Sequence, residues 1–265
     1  DGATFEKNTA GKNGGAIVFL SDGKTDNDQK LVVSNAKFTG NSAVKKGGGA
    51  IAWLQMEENQ TREQNLVINN ATFSGNEAET GGAISAEDTL TISGASSFNG
   101  NKATLQGGAI SILGTGTLGG ELVISEGTEE SHVIFSNNEV TGTNSSSQGG
   151  AIYNSGLINI GDYTEFTSNS ATIGGAISNQ STKDNVIGNH VSFDGNTAEW
   201  AGAIFNQRSN LKIGDNVSFV NNKATGTTPG VTADDYGDAG MGGAIQYAIC
   251  LGGQEAHYKD RYFGL

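Results

Sequence analysis

Elimination chemistry on an acidic polysaccharide needs carboxylates that hold a hard cation and an Arg or Lys that takes the proton. The chain offers three arginines, Arg62, Arg208 and Arg261. Arg62 falls in a polar stretch, and Arg208 has Asp184 and Asp215 as its nearest acids once the repeats are aligned. That pattern reads as an exposed, salt-bridged face. Glycoside hydrolysis needs two carboxyl groups about 5 to 9 Å apart. Asp162, Asp194 and Asp215 would stand on neighbouring repeats, but the position of Asp194 elsewhere holds Thr, Ser, Asn, Glu and Val, which marks a solvent-facing site. Nucleophilic catalysis lacks a constellation: His132, His190 and His257 are scattered, and no G-x-S-x-G elbow leads into a helix. Cys250, between Ile249 and Leu251, reads as a small buried hydrophobe, and no His or Cys pair has zinc spacing. Two acidic stretches, Asp22/Asp26/Asp28 and Asp234/Asp235/Asp238, supply hard oxygen ligands of the kind calcium takes, yet neither matches an EF-hand and both read as solvated loops. No glycine run is a phosphate cradle. The expectation is a non-enzyme without a cofactor or resident metal.

The elements that would position any such groups follow from composition. Of 265 residues, 41 are Gly and 27 Asn, while one is Pro and 16% are charged. Helices need Ala, Leu, Glu and Lys in long amphipathic runs, so a helical bundle and an ordinary α/β enzyme are excluded. Collagen is excluded too, because the glycines have no three-residue period. A net charge of −13 leaves no basic stripe for nucleic acid and disfavours anionic lipid. No apolar run reaches the length of a membrane helix, and the single Cys closes no internal disulfide.

Repetition organises the chain. F-x-x-N occurs eight times, at Phe5–Asn8, Phe38–Asn41, Phe73–Asn76, Phe98–Asn101, Phe135–Asn138, Phe166–Asn169, Phe193–Asn196 and Phe219–Asn222. The second residue after the Asn is Ala in all copies but one, where it is Val140. A G-G-A-I block follows each, starting at Gly14, Gly48, Gly81, Gly107, Gly149, Gly174, Ala201 (where Ala replaces the first Gly) and Gly242. Between each G-G-A-I and the next F-x-x-N lies a short aliphatic alternation such as Leu66-Val67-Ile68 or Leu90-Thr91-Ile92. Three short β-type segments in fixed order predict an all-β, right-handed parallel β-helix of about eight rungs with three strands each. No window carries helical apolar spacing, and hairpin signals do not recur at fixed places. Residues 1–250 form the coil, which begins within a rung and reads as a piece of something longer. Residues 251–265 leave the repeat and could fold back as a cap.

In such a coil each residue stacks on its counterpart at roughly 4.8 Å, so eight rungs span on the order of 40 Å. The Phe residues should form one internal stack, and Gly-Gly should allow a bend that a side chain would block. The eight Asn residues should hydrogen-bond to one another as a ladder along a corner. A shorter ladder is expected at Asn154, Asn179 and Asn206, where other rungs carry Phe19, Trp53, Ala86, Ile112 and Tyr247.

Alternating F-x-x-N and G-G-A-I over residues 5 to about 245 resembles the passenger domains of the polymorphic membrane proteins, autotransporter adhesins best known from chlamydiae. The resemblance implies a right-handed β-helix on the bacterial surface or outer membrane, or secreted, whose only link to the membrane is a C-terminal barrel outside this sequence. It also implies attachment to a host-cell protein or glycan, with both motifs taking part. The residues it nominates for binding are Phe38, Asn41, Phe73, Asn76, Phe98, Asn101, Phe166, Asn169, Phe193 and Asn196, with Gly48, Gly81, Gly107, Gly149 and Gly174.

Trp53 and Trp200 are candidate exposed anchors, or gap-fillers if they point inward. Insertions at 21–30, 55–65 and 113–121 share one connection and should emerge from one edge, whereas 141–148 and 225–241 lie between F-x-x-N and G-G-A-I. An adhesin or passenger segment is the leading expectation. A carbohydrate-active β-helix, or coils that self-associate end to end, are the alternatives.

Overall fold

The computed structural model describes residues 1–21, 30–55, 65–114, 120–226 and 242–248. All strand pairs among them are parallel, and each joins equivalent segments of successive repeats. The F-x-x-N strands make an eight-stranded sheet running from Thr4–Glu6 to Ser218–Val220. The G-G-A-I strands make a second of eight, from Ile17–Ser21 to Ile245–Ala248. The aliphatic alternations make a third of seven, from Lys30–Ser34 to Leu211–Ile213. This is the parallel β-helix expected from the repeat.

One element is added to the expected three. A short fourth strand follows seven of the eight motif Asn residues, as in Thr9–Ala10, Ser42–Ala43, Glu77–Thr80, Lys102–Gln106 and Glu139–Val140, and after Asn169 only the isolated bridges of Ser170 and Ile173 remain. The residue two past the Asn is buried in this row, as at Ala43, Ala78, Ala103, Val140 and Ala198. That residue is Ala in seven copies and Val140 in the eighth, so its hydrophobic signal is weak.

The interior is set by register. Phe5, Phe38, Phe73, Phe98, Phe135, Phe166, Phe193 and Phe219 stack with centroids 4.7–5.0 Å apart and planes within 10° of parallel. The centroid spacing equals the strand spacing, so the rings slide into an offset stack, the favoured aromatic geometry. Leu66, Leu90, Leu122 and Ile158 line another wall in register, and Ile51, Ile84, Ile110, Ile152, Ile177 and Ile204 the third. These groups form one continuous buried core.

The Asn corner is a closed hydrogen-bond system. Asn101 Nδ2 donates to Asn138 Oδ1 (2.9 Å) and to the carbonyl of Phe73 (3.1 Å), while its Oδ1 accepts from Asn76 Nδ2 (2.9 Å) and Asn76 N (3.1 Å). The same four bonds recur at Asn41, Asn76, Asn138, Asn169 and Asn196, all without exposed surface. Only a primary amide on a short stem supplies two donors and two lone pairs there. The second ladder is present as well: Asn154 Nδ2 donates to Asn179 Oδ1 (2.8 Å) and Asn179 Nδ2 to Asn206 Oδ1 (2.7 Å). In the N-terminal rungs Phe19, Trp53, Ala86 and Ile112 occupy that position in register.

The G-G-A-I corner is held by steric exclusion. Its first Gly has positive φ, +71° at Gly48 and +59° at Gly81. The second has no room for a side chain, because a Cβ on Gly82 would sit 2.1 Å from the carbonyl oxygen of Gly108. The same clash with the next rung's carbonyl recurs at Gly15, Gly49, Gly108, Gly150, Gly175 and Gly202.

Two expectations follow for stability, both measured by equilibrium denaturation. Replacing Asn101 by Asp places an oxygen opposite the acceptors on Asn138 and Phe73. The buried carboxyl is then favoured in its neutral form, so its folded pKa rises above the unfolded ~3.9. The penalty relative to the parent chain should therefore grow as pH rises from 4 to 7, with about 3 kcal/mol or more lost at neutral pH. An equal penalty at both pH values would contradict the bonding scheme. Gly82→Ala should cost well over the ~1–2 kcal/mol expected for Gly75→Ala, since Gly75 has positive φ but open space around its Cβ.

Candidate functional site

The motif residues nominated for binding are placed inside the coil. Phe38, Phe73, Phe98, Phe166 and Phe193 are fully buried, and so are Asn41, Asn76, Asn101, Asn169 and Asn196. Gly48, Gly81, Gly107, Gly149 and Gly174 lie in the sealed corner. The residues between Phe and Asn are the ones at the surface, including Thr39, Asn99, Asn137, Ser168, Asp194 and Val220.

Both tryptophans depart from the expectation of exposed anchors. Trp53 is fully buried, pointing inward in register with Phe19 on one side and Ala86 on the other. It fills the space the small Ala86 leaves, tilted against Phe19 at 5.8 Å. Trp200 is on the outside of the coil but covered, because it precedes the corner residue Ala201 and packs with Ile173, Ala201 and Phe205 in a small apolar cluster separate from the main core. That cluster gives Ala201 a role. Its φ of +58° strains any residue but Gly, and its methyl group joins the cluster.

The acids weighed for catalysis are tied into inter-rung bonds. Asp162 accepts from Asn189 N (2.7 Å), and Asn189 Oδ1 in turn accepts from Asp215 N (2.8 Å), so Asn189 stands between the two acids. Asp194, on the Phe sheet, accepts from Asn221 (3.1 Å), and Asp184 from Asn210 (2.7 Å). His132 faces Glu165 at 3.3 Å, while His190 stacks on Tyr163 at 4.8 Å. None of these brings two carboxyl groups together across a cleft. Arg62, Arg261, His257, Cys250, both acidic stretches, the 251–265 tail and most of the insertions at 21–30, 55–65, 113–121 and 225–241 lie outside the described residues. Among the described residues no cluster of three metal-ligating side chains occurs.

A groove of about 260 Å³ does occur, over the outer face of the last four rungs, and it includes Arg208. Its floor comes from three rows. The residues just before the glycine corner stack as Gln148, Ile173 and Trp200. Those one past the motif Ile stack as Ser178, Phe205 and Gln246. Gln180 and Gln207 supply the third row, three residues past Ile177 and Ile204. One wall is the 141–148 insertion, whose turn is closed by Ser147 N donating to the Asn144 carbonyl (2.9 Å) and which presents Ser145. Rungs six and seven carry no insertion at this corner, which leaves the floor open.

Hydrogen bonds fix the amides. Gln148 Oε1 accepts from Ser178 Oγ (3.0 Å) and from Gln180 Nε2, and Gln148 Nε2 donates to the Ser145 backbone carbonyl (2.7 Å). The carbonyl oxygen of Gln246 is buried and has no hydrogen-bond partner among the described residues. Among the described residues no carboxylate lines the groove. Next to it, burial raises the Glu199 carboxyl above the ordinary carboxylate range. Burial likewise raises the Tyr153 phenol, partly offset by a hydrogen bond with Gln106. Sequence reasoning missed the groove. Its signal was Gln recurring three residues past the motif Ile, at Gln180 and Gln207.

With both tryptophans covered, the folded chain should emit blue of free tryptophan and resist quenching by iodide. Strong quenching in the native state would place an indole at the surface.

A family model described as the Chlamydia polymorphic membrane protein repeat matches residues 2–19, 70–87, 95–112 and 132–155. Each matched segment holds one F-x-x-N and the G-G-A-I that follows it. No curated protein and no solved structure matches the chain.

Proposed function

From a chain that carries a repeat region of the chlamydial polymorphic membrane protein type, we propose a non-enzymatic, surface-displayed passenger segment that attaches the bacterium to host cells. The repeat family supports a surface-exposed, autotransporter-type protein at the cell surface or outer membrane. The adhesive role rests on one observation: insertions concentrate at fixed corners of an otherwise uniform coil. The strand ends that bracket 21–30 and 55–65 are paired rung on rung, Ser21 with Gln55 and Lys30 with Asn65. Loops of differing length between such fixed strand ends tolerate variation at little cost to the scaffold. The buried motifs then serve to space and orient the display, and the partner is a host-cell surface protein or glycan that meets the loops and outer faces.

Binding of the purified chain to host cells tests this. Saturable binding without release of reducing sugar is expected, and shortening 55–65 or 141–148 should weaken it at least severalfold while thermal stability holds. Absence of saturable binding, or release of oligosaccharide from the cell surface, would overturn the proposal.

A further inference from the structure

We propose that the acidic hairpin at 126–132 is a pH-sensitive latch, fastened to the coil by one proton held between His132 and Glu165 and released when that proton is lost. The inference does not depend on what the coil attaches to.

The hairpin is the exception at its corner. Nine residues join Glu121–Ile124 to Ile134–Ser136, where the same join takes two residues after Asn65–Asn69 and four after Leu157–Ile160. Thr128 N donates to the Ser131 carbonyl (2.9 Å) and Ser131 N to the Thr128 carbonyl (3.2 Å), so the excursion closes on itself as an antiparallel turn. Its side chains give it little apolar hold, because Glu126, Thr128, Glu129, Glu130 and Ser131 are all exposed. It meets the next rung through Gly127 N, which donates to the Asp162 carbonyl (3.1 Å), and through His132, which faces Glu165. A segment held by so few contacts belongs to the part of a fold that opens locally.

The histidine decides whether it opens. Nδ1 lies 3.0 Å from the Thr128 carbonyl oxygen, which can only accept, so Nδ1 carries a proton. In a neutral ring Nε2 would then turn a lone pair toward Glu165 Oε1 at 3.3 Å, two acceptors face to face. Nε2 is shielded from solvent and has no hydrogen-bond partner among the described residues, so no other group relieves that conflict. A proton between the two atoms does, whether it is counted on the ring or on the carboxyl.

The surrounding charges act in the same sense. Glu126, Glu129 and Glu130 on the hairpin and Asp162 at the rung-six corner are acids, with Glu130 bonded to Thr128 Oγ1 (3.2 Å) and Asp162 to Asn189 N (2.7 Å). Tyr163 beside them stacks on His190. Histidine is the side chain that changes charge between pH 5 and 8. At the acid end the proton is in place and the hairpin is fastened. At the other end the carboxylate faces a lone pair beside three further acids, and the hairpin lets go. A loop on the outside of the coil thereby takes one pose in acidic surroundings and another in neutral ones.

The test is amide hydrogen exchange on the full chain at about pH 5.5 and about pH 8, with rates corrected for their intrinsic pH dependence. Protection of Gly127, Thr128 and Ser131 should fall roughly fivefold or more between the two, while amides of the Asn ladder stay protected at both. His132→Gln should abolish the difference, because an amide has no proton to lose in this range. Glu165→Gln should abolish it in the fastened state: its N–H donates to the lone pair of a neutral ring, so the hairpin stays protected at the higher pH. Glu165 is on the outer face and only half-buried, so this variant serves if His132→Gln disturbs the corner. Equal protection at both pH values in the parent chain, or a difference that survives both substitutions, would overturn the latch.

Discussion

A buried primary amide has four hydrogen-bonding positions, and in this coil they are filled only when an identical amide stands one rung above and one below. That condition propagates. Asn101 needs Asn76 and Asn138, which need Asn41 and Asn169 in turn, so a single off-type residue leaves several buried polar groups without partners. The corner therefore behaves as one unit along the whole stack. It also sets the rise between rungs, because amide-to-amide contacts of 2.8–3.0 Å between stacked side chains close only at strand spacing. The Phe stack three residues upstream inherits that spacing and cannot relax to a closer face-to-face contact.

The glycine corner imposes the same spacing by different physics. There the second Gly of one rung lies under the carbonyl of the next, and the approach is too close for any Cβ. One corner selects its residue by bonding, the other by exclusion, and both selections are absolute at the level of a single atom. The apolar walls between them are permissive by comparison. Leu, Ile and Val interchange in register, and Asn185 even takes a Leu position, using its own short hydrogen bonds to the Lys183 carbonyl (2.6 Å) and from Ile158 N (2.8 Å).

This division explains what could be read from the sequence. The Asn, Phe and Gly rows were legible because each position tolerates one residue type, so identity at fixed spacing survives insertions of very different length. The Asn154–Asn179–Asn206 ladder was legible from three successive identities, although the same row carries Phe19, Trp53, Ala86 and Ile112 in earlier rungs. The fourth strand was not, since Ala carries little hydrophobic signal and most of these strands have two residues, which give no periodicity. The sequence left Trp53 and Trp200 open between surface anchor and gap-filler, because burial of an aromatic at these rows depends on the size of its neighbours, Ala86 in one case and Phe205 with Ile173 in the other. The groove was invisible for a related reason. It is assembled from three rows that are each variable, so no single column of the repeat announces it.

Variable rows on an invariant frame also locate where new chemistry can arise. A substitution on an outward row perturbs neither corner, and its side chain is delivered at a position fixed to within the rung spacing. Rungs six and seven carry no insertion at this corner, and outward side chains from four rungs line the groove. Ala201 belongs to the same change. It gives up the unstrained glycine corner, at about 1–2 kcal/mol, and its methyl completes the apolar cluster that supports Trp200 and Phe205. The one place where the corner rule is broken is thus also the place where the outer face becomes concave. A strained corner that persists beside a preorganised row of amides is the arrangement expected where the coil does something besides hold itself together.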